Sequence, residues 1–342
     1  GLITKDESLV IPSDNYETTS ASGVWTLEEA QMLAKQGLWP TVGNAAPNAI
    51  FMGGSNAAST YYNTIQTINI GTTGDTSDFG DLSENKEVWD GVAGNATRSI
   101  AFGGQASNGA TNVIEYVNPT SAGNGQDFGD MPVTDGNVAM AALANNTRAI
   151  YQRKESVTIE FVNIASTGNP SDFGDAVVSR RNGAAGFAST TRGCIAGGMY
   201  VGGGSLRNEI DYITIASEGN AQDFGDLTVA RYSPTGCSNA TRGLILGGES
   251  GSGYSDVIDY VTIATAGQTV TDFGDLLAGV TSATACASST RGVVAGGQVT
   301  GTTQNVMQYV TIASTGNATD FGDLAANTYR FGATSTVHGG LS

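Results

Sequence analysis

Apolar and polar positions along this chain form short stretches separated by turns, and the same order of stretches recurs. Residues 231–279 give one full round of the pattern. PTGCSN is a run of small residues. GLILGG, after Arg242, is a continuous apolar run of the kind buried on both faces. VIDYVTI alternates with period two, setting Val257, Asp259 and Val261 on one face and Ile258, Tyr260 and Thr262 on the other. TDFGDLL is short and carries a single aromatic. Turn-forming segments, NATR, ESGSGYSD and ATAGQTV, lie between them. The pattern predicts four short antiparallel strands per round.

The tetrapeptide Asp-Phe-Gly-Asp marks the last strand of each round and begins at positions 78, 127, 172, 223, 272 and 320. Six occurrences exclude the metal-binding loop of a protein kinase. That loop occurs once per domain, with an H-R-D-x-x-x-x-N loop and a V-A-I-K strand that this chain lacks. A four-stranded unit repeating at about 50 residues predicts an all-β chain folded as a β-propeller. Six second strands run from IFMGG (50–54) to VVAGG (293–297). The first unit lacks a clear first strand, but AANTYRFGATSTV, after the last DFGDL, matches LTVARYSPTGCSN. Residues 331–337 are therefore expected to supply the innermost strand of the first blade. This would close six blades over residues 42–342 and leave no free edge.

Composition sharpens this reading. Of 342 residues, 48 are Gly and only 14% are charged, which suits many strands joined by tight turns. A net charge of −17, from 15 basic and 32 acidic residues, repels phosphate backbones and anionic lipid, so nucleic acid is not an expected partner. No run of 18 apolar residues suggests a membrane-spanning helix, and GLITKDESLV has neither the basic nor the apolar stretch of a signal peptide. Three cysteines without a C-x-x-C pair argue against a disulfide framework or a zinc site. One histidine, His338, cannot supply a two-histidine copper site, and no S-x-D-x-G-x-T-W sialidase box is present. No carboxylate pair stands out for acid–base hydrolysis. A non-enzymatic protein without a cofactor is expected. Calcium is the lesser alternative for the oxygen-rich spacing Asp75, Asp78, Asp81 and its counterpart Asn317, Asp320, Asp323, with turn capping the favoured reading.

Within the motif, the Phe is expected to pack between blades and the Gly to permit a bulge. An Arg preceded by Thr opens the second strand at Arg98, Arg148, Arg192, Arg242 and Arg291. These are expected to form forked pairs across blade junctions with the motif's first carboxylate, Asp127, Asp172, Asp223, Asp272 and Asp320. The loops on the opposite rim differ from unit to unit, which is a layout for recognition. There Tyr61, Tyr62, Trp89, Tyr200, Tyr232, Tyr254 and Tyr329 are candidates to stack on sugar rings, and Arg180, Arg181 and Arg231 to pair with anionic glycans. The plain alternative is that these side chains only cover the rim.

Residues 1–41 do not repeat. An extended, polar stretch precedes a capping box at Thr26 and Glu29, with Gly37 in the place of a terminal glycine, so a helix over 27–36 is expected. Trp25 and Trp39 bracket it and are expected to attach to a partner.

The repeat resembles a kelch repeat. Its apolar strand ends in Gly-Gly, as at Gly53-Gly54, Gly103-Gly104, Gly197-Gly198, Gly247-Gly248 and Gly296-Gly297. The next strand carries Tyr116, Phe161, Tyr212, Tyr260 or Tyr309, and the last carries Phe where kelch repeats have Trp. The third unit departs from the pattern with AIYQRKE, and the first has Thr67 in the Tyr position. The segment carrying Gly23, Val24, Trp25, Thr26, Leu27, Gly37, Trp39 and Pro40 is similar to one in tail-fibre and related virion proteins of tailed bacteriophages. The resemblance implies a virion structural protein on the exterior of tail or capsid, homo-oligomeric, and extracellular after release. Residues 1–41 would join it to other virion proteins, and the propeller would recognise a host-surface glycan. The alternatives are a decoration protein that binds only virion chains, and a secreted bacterial lectin or carbohydrate-active enzyme.

Overall fold

A computed structural model describes residues 47–132, 139–267 and 270–341. The expected helix over 27–36, with Trp25 and Trp39, lies outside the described residues. The described chain is all-β and antiparallel, with one short 3-10 turn at Gly339–Leu341. Six sheets carry the repeats. Sheet I joins Gly332–Ser335, Asn48–Met52, Thr64–Asn69 and Ser77–Asp81 in spatial order. Sheet II holds Val92–Gly94, Ser99–Ala106, Gly109–Val117 and Gln126–Asp130, with Lys86–Glu87 also paired to its second strand. Sheet III holds Ala139–Ala144, Arg148–Arg153, Ser156–Asn163 and Ser171–Arg180. Sheet IV holds Ala185–Ala188, Arg192–Ala196, Glu209–Thr214 and Gln222–Asp226. Sheet V holds Thr235–Ser238, Arg242–Leu246, Val257–Thr262 and Thr271–Asp275. Sheet VI holds Thr284–Ala287, Arg291–Ala295, Val306–Thr311 and Thr319–Asp323. The C-terminal strand of the chain thus completes its N-terminal sheet, with Ile50 opposite Thr334 and Phe51 opposite Ala333.

The apolar second strands are buried along their length, as a continuous hydrophobic run requires. Each of six core clusters draws on two sheets. Ile50, Met52 and Phe79 of sheet I pack with Val92, Ala101 and Val117 of sheet II. The same arrangement joins II to III, III to IV, IV to V and V to VI. In the sixth cluster, Val293 and Phe321 of sheet VI pack with Ala49, Phe51 and Ile68 of sheet I. Each motif Phe is at most 6% exposed, so its burial contributes about 1.5–3 kcal/mol.

The motif itself is a β-bulge. Ile65 pairs with Gly80 and Gln66 with Asp78, which leaves Phe79 without a partner, and the same register shift recurs in the other five sheets. In a regular strand, residues three apart face opposite sides, so Asp78 and Asp81 would point in opposite directions. The bulge resets the alternation: both carboxylates face solvent and Phe79 turns inward. The glycine is needed for a second reason. The turn of the following sheet lies against it, and a Cβ on Gly129 would stand 2.6 Å from the carbonyl oxygen of Gly168. That approach lets the turn amide donate to the motif Phe carbonyl. Gly123 bonds to Phe79, Gly168 to Phe128, Gly219 to Phe173, Gly267 to Phe224, Gly316 to Phe273 and Gly74 to Phe321, all at 2.7–2.8 Å.

Candidate functional site

The first task of the polar residues is to pin one sheet to the next. Gln66, Glu115, Glu160, Asp211, Asp259 and Gln308 occupy one register on the third strands, and all are buried. In five sheets this residue accepts from the chain leaving the preceding sheet. Ala325 N–H reaches Gln66 at 2.9 Å, Ser83 N–H reaches Glu115 at 2.8 Å, and Val177 N–H reaches Asp211 at 3.0 Å. Thr228 Oγ1–H reaches Asp259 at 2.9 Å and Leu277 N–H reaches Gln308 at 2.7 Å. Three of the carboxylates are neutralised by a buried cation: Lys86 for Glu115 at 2.8 Å, Arg180 for Asp211 at 3.0 Å, and Arg231 for Asp259 at 2.8 Å. Glu160 takes the Tyr151 hydroxyl at 2.6 Å and lies 3.9 Å from Arg153. Gln66 and Gln308 carry no charge to balance. Burial still holds the Glu160 and Asp259 carboxyls above the ordinary carboxylate range.

This corrects two sequence expectations. Arg180 and Arg231, expected to face anionic glycans, have fully buried side chains committed to Asp211 and Asp259. Turning either outward would strand a buried carboxylate, which desolvation forbids. The forks between the Thr-Arg arginines and Asp127, Asp172, Asp223, Asp272 and Asp320 also do not form, because the bulge turns these aspartates into solvent. The arginines span sheets by another route. Each guanidinium lies 4.4–4.9 Å from an aromatic ring of its own sheet: Arg98 over Tyr116, Arg148 over Phe161, Arg192 over Tyr212, Arg242 over Tyr260 and Arg291 over Tyr309. Each then donates to a carbonyl of the next sheet, Ile164, Ile215, Ile263, Ile312 and Ile70 respectively, at 2.7–3.2 Å. In sheet I the corresponding register position is Asn48, so the junction from sheet I to sheet II lacks this staple.

A second group gathers where the chain enters the first strands. Trp89, Ser233, Ser282 and Arg330 have φ of 52°, 48°, 54° and 54° without being glycine, which costs of order 1–3 kcal/mol each. Their amides connect in series. Trp89 N–H donates to the Arg330 carbonyl at 3.0 Å, Arg330 to Ser282 at 3.0 Å, Ser282 to Ser233 at 3.3 Å, and Ser233 to Gly183 at 2.9 Å. Arg330 is the charged member. Its guanidinium stands 4.4 Å from the Trp89 ring centre and 4.9 Å from that of Tyr329. One of its nitrogens lies 3.4 Å from Glu87, whose other oxygen accepts from Ser55 Oγ–H at 2.5 Å. Ser55 also bridges the backbones of Tyr61 and Tyr329. Arg330 Nε and Trp89 Nε1 find no acceptor among the described residues.

Two of the expected stacking residues, Trp89 and Tyr329, are therefore brought together around a cation, and the backbone of Tyr61 is bridged to Ser55 beside them. Tyr232 joins their surroundings. Its hydroxyl donates to Glu249, which pairs with Tyr254. Burial and Glu249 push its phenol upward, while the Arg330 charge pulls the other way. Tyr200 stands elsewhere, under the Arg207 guanidinium at 4.7 Å. Tyr62 is held through its backbone by Gly54 and Lys86, and Arg181 through its N–H by Met199. Sequence reasoning missed Arg330, Glu87, Glu249 and Arg207. For Arg330 a signal existed: in NTYRF it takes the place that serine holds in RYSP.

Below this group the small residues of the six first strands surround a cavity of about 60 Å³. Asp90 lines it and accepts from Thr235 Oγ1–H at 3.3 Å and from Thr284. At the other end, His338 Nε2–H donates to the Gly94 carbonyl at 2.8 Å, and its Nδ1 accepts from Gly340 N–H at 3.2 Å. That pair of bonds fixes the neutral tautomer, and burial holds the imidazole below its usual value. The Gly339–Leu341 turn packs on the first strands of sheets III, IV and V. Cys237 and Cys286 line the cavity, and burial pushes the Cys237 thiol up to about 12.

Among the described residues no three His, Cys, Asp or Glu side chains converge as a metal group. The oxygen-rich spacing has a capping task. Asp75 accepts from Asp323 N–H at 3.0 Å, and Asn124, Asn169, Asn220 and Asn317 cap the matching amides of Asp81, Asp130, Asp175 and Asp275. Comparison with known protein families finds no model that matches this chain, and comparison with curated proteins finds no match.

Proposed function

We propose that the six sheets are the blades of a closed, kelch-like propeller, and that this propeller is the recognition part of a non-enzymatic virion protein. Its ligand is an acidic glycan of a host surface, bound at the mouth around Arg330. The blade reading is supported by the sharing of each core cluster between two sheets and by the strand Gly332–Ser335 lying on Asn48–Met52. The virion setting rests on the resemblance of residues 23–40 to tail-fibre proteins, and in that setting residues 1–41 provide the attachment to other virion chains.

One observation carries the ligand class. Arg330 is clamped between two aromatic rings and its side chain is 36% exposed, so part of the guanidinium faces solvent. A guanidinium held flat presents a planar fork that matches a sugar carboxylate, and an aromatic edge beside it gives a sugar ring a surface to lie on. The chain's net charge of −17 works against long-range attraction of any anion, so capture here depends on short contacts. Association with an acidic glycan is then expected to quicken as salt screens that repulsion. The full chain is applied to an array of uronic-acid and sialic-acid glycans beside their neutral counterparts. The reading expects binding to the acidic set and a loss of at least about tenfold in Arg330→Ala, equivalent to one charged hydrogen bond. Equal binding of neutral glycans contradicts the acidic class, and no binding at all favours a decoration protein.

A further inference from the structure

The fully buried carboxylates among the described residues follow a rule, and Asp90, half-buried at the central cavity, is placed differently. Glu87, Glu115, Glu160, Asp211 and Asp259 each lie within 4 Å of an Arg or Lys nitrogen of the chain. Where the third-strand position lacks a cation, as at Gln66 and Gln308, an amide stands in place of the acid. Asp90 is half-buried and lines the central cavity, and its partners are two threonine hydroxyls. Among the described residues no Lys or Arg lines that cavity. The other titratable groups around it are Cys237 and Cys286, which burial keeps as thiols, and His338, whose neutral tautomer is fixed by Gly94 and Gly340.

We infer that the central cavity is a binding site for one monovalent alkali cation, with the Asp90 carboxylate as its charged ligand. A carboxylate held within protein is tolerated when it is paired, when it coordinates a metal or when it takes up a proton, and at pH 8 a bound cation is the partner this cavity can offer the ionised form. The charge count selects the class. A single carboxylate balances one positive charge, whereas calcium-type sites collect several carboxylates around 6–8 oxygens. Neutral oxygens complete the donor set. Thr235 and Thr284 give their protons to Asp90, and Ser335 Oγ–H gives its proton to the Ala287 carbonyl at 2.5 Å, so these hydroxyls retain lone pairs to offer. The volume of about 60 Å³ exceeds the roughly 10–15 Å³ that a single water needs, leaving room for an ion with water around it.

The test uses the full chain at pH 8 in sodium, potassium or rubidium chloride, against choline chloride at equal ionic strength. Choline's charge is shielded by its alkyl groups, so it cannot take oxygen ligands as a bare alkali ion does. Wild-type protein is expected to melt about 2 °C higher in the best small cation at ten times its Kd, and Asp90→Asn is expected to show no difference between salts. Crystals of the wild-type protein grown in rubidium chloride should show an anomalous peak in the cavity beside Asp90, a readout that does not depend on the variant folding. Identical melting of the wild type in all salts with no peak overturns the proposal, leaving a neutral Asp90 and a water-filled cavity. A cation response retained in Asp90→Asn overturns it as well.

Discussion

The amide of Gly74 donates to the carbonyl of Phe321 at 2.8 Å, joining the first and last of the Asp-Phe-Gly-Asp repeats. The same bond links every other successive pair of sheets, so the two ends of the array meet through the contact that the middle uses throughout. The glycine of the motif makes this possible by leaving room for the neighbouring turn.

The motif glycine and the turn glycine should therefore respond differently to a methyl group. Gly129→Ala places Cβ 2.6 Å from the Gly168 carbonyl at φ 152°, and should lower stability by about 1–3 kcal/mol. Gly123→Ala meets nothing within 4 Å and should stay within about 0.5 kcal/mol of wild type. Urea unfolding of both variants checks this, and similar losses would show that the close approach is not the constraint.

The buried ion pairs predict a rescue. Arg231→Leu leaves Asp259 uncompensated and should cost about 3–5 kcal/mol. Adding Asp259→Gln reproduces what sheets I and VI already contain at Gln66 and Gln308, and should restore most of that loss. Chemical denaturation of the single and double variants gives the coupling directly; additive losses would contradict the shared role of that register.

The arginine staples predict an uneven set of junctions. Arg242→Ala removes a ring stack and the bonds to the Ile312 and Ala313 carbonyls, and should destabilise by about 1–3 kcal/mol. The junction from sheet I to sheet II holds no such staple, so native-state hydrogen exchange should find its lowest opening energy there. Uniform protection across all junctions would refute this.

Asp90 and His338 set opposite pH slopes. Burial raises the Asp90 carboxyl above its ordinary 3.8, so between that value and the raised one the native state holds a proton that the unfolded chain has lost. Stability then falls as pH rises through the window, and Asp90→Asn removes the fall. Burial lowers His338 below 6.5, so as pH drops through 6.5 the unfolded chain gains a proton that the native state refuses. Stability falls in that direction too, and His338→Gln should flatten it. Unfolding free energies in choline chloride from pH 4 to 8 check both slopes; parallel curves for wild type and variants would count against both.

Much of the frame was legible in the chain because repetition averages out local ambiguity. Six copies of Asp-Phe-Gly-Asp fixed the unit, and the match of TYRFGATSTV to ARYSPTGCSN placed the last strand on the first sheet. Partners of individual charges were not legible. The bulge reverses which way Asp127 and its counterparts point, and a strand read as regular hides that. Arg180 and Arg231 fall in stretches that read as variable loops and look available, yet each is claimed by a third-strand acid whose register only the folded sheets reveal. Arg330 escaped notice because Trp89 and Glu87, which complete its surroundings, lie far from it in sequence.

We propose that the polypeptide closes on itself through residues 332–335. Hydrogen exchange of the amides from Gly332 to Thr336, whose last member donates to the Asn48 carbonyl at 3.0 Å, decides this. The structure predicts protection equal to that of the second strands Arg242–Leu246 and Arg291–Ala295. Exchange at the rate of a free tail, with those strands still protected, would contradict it.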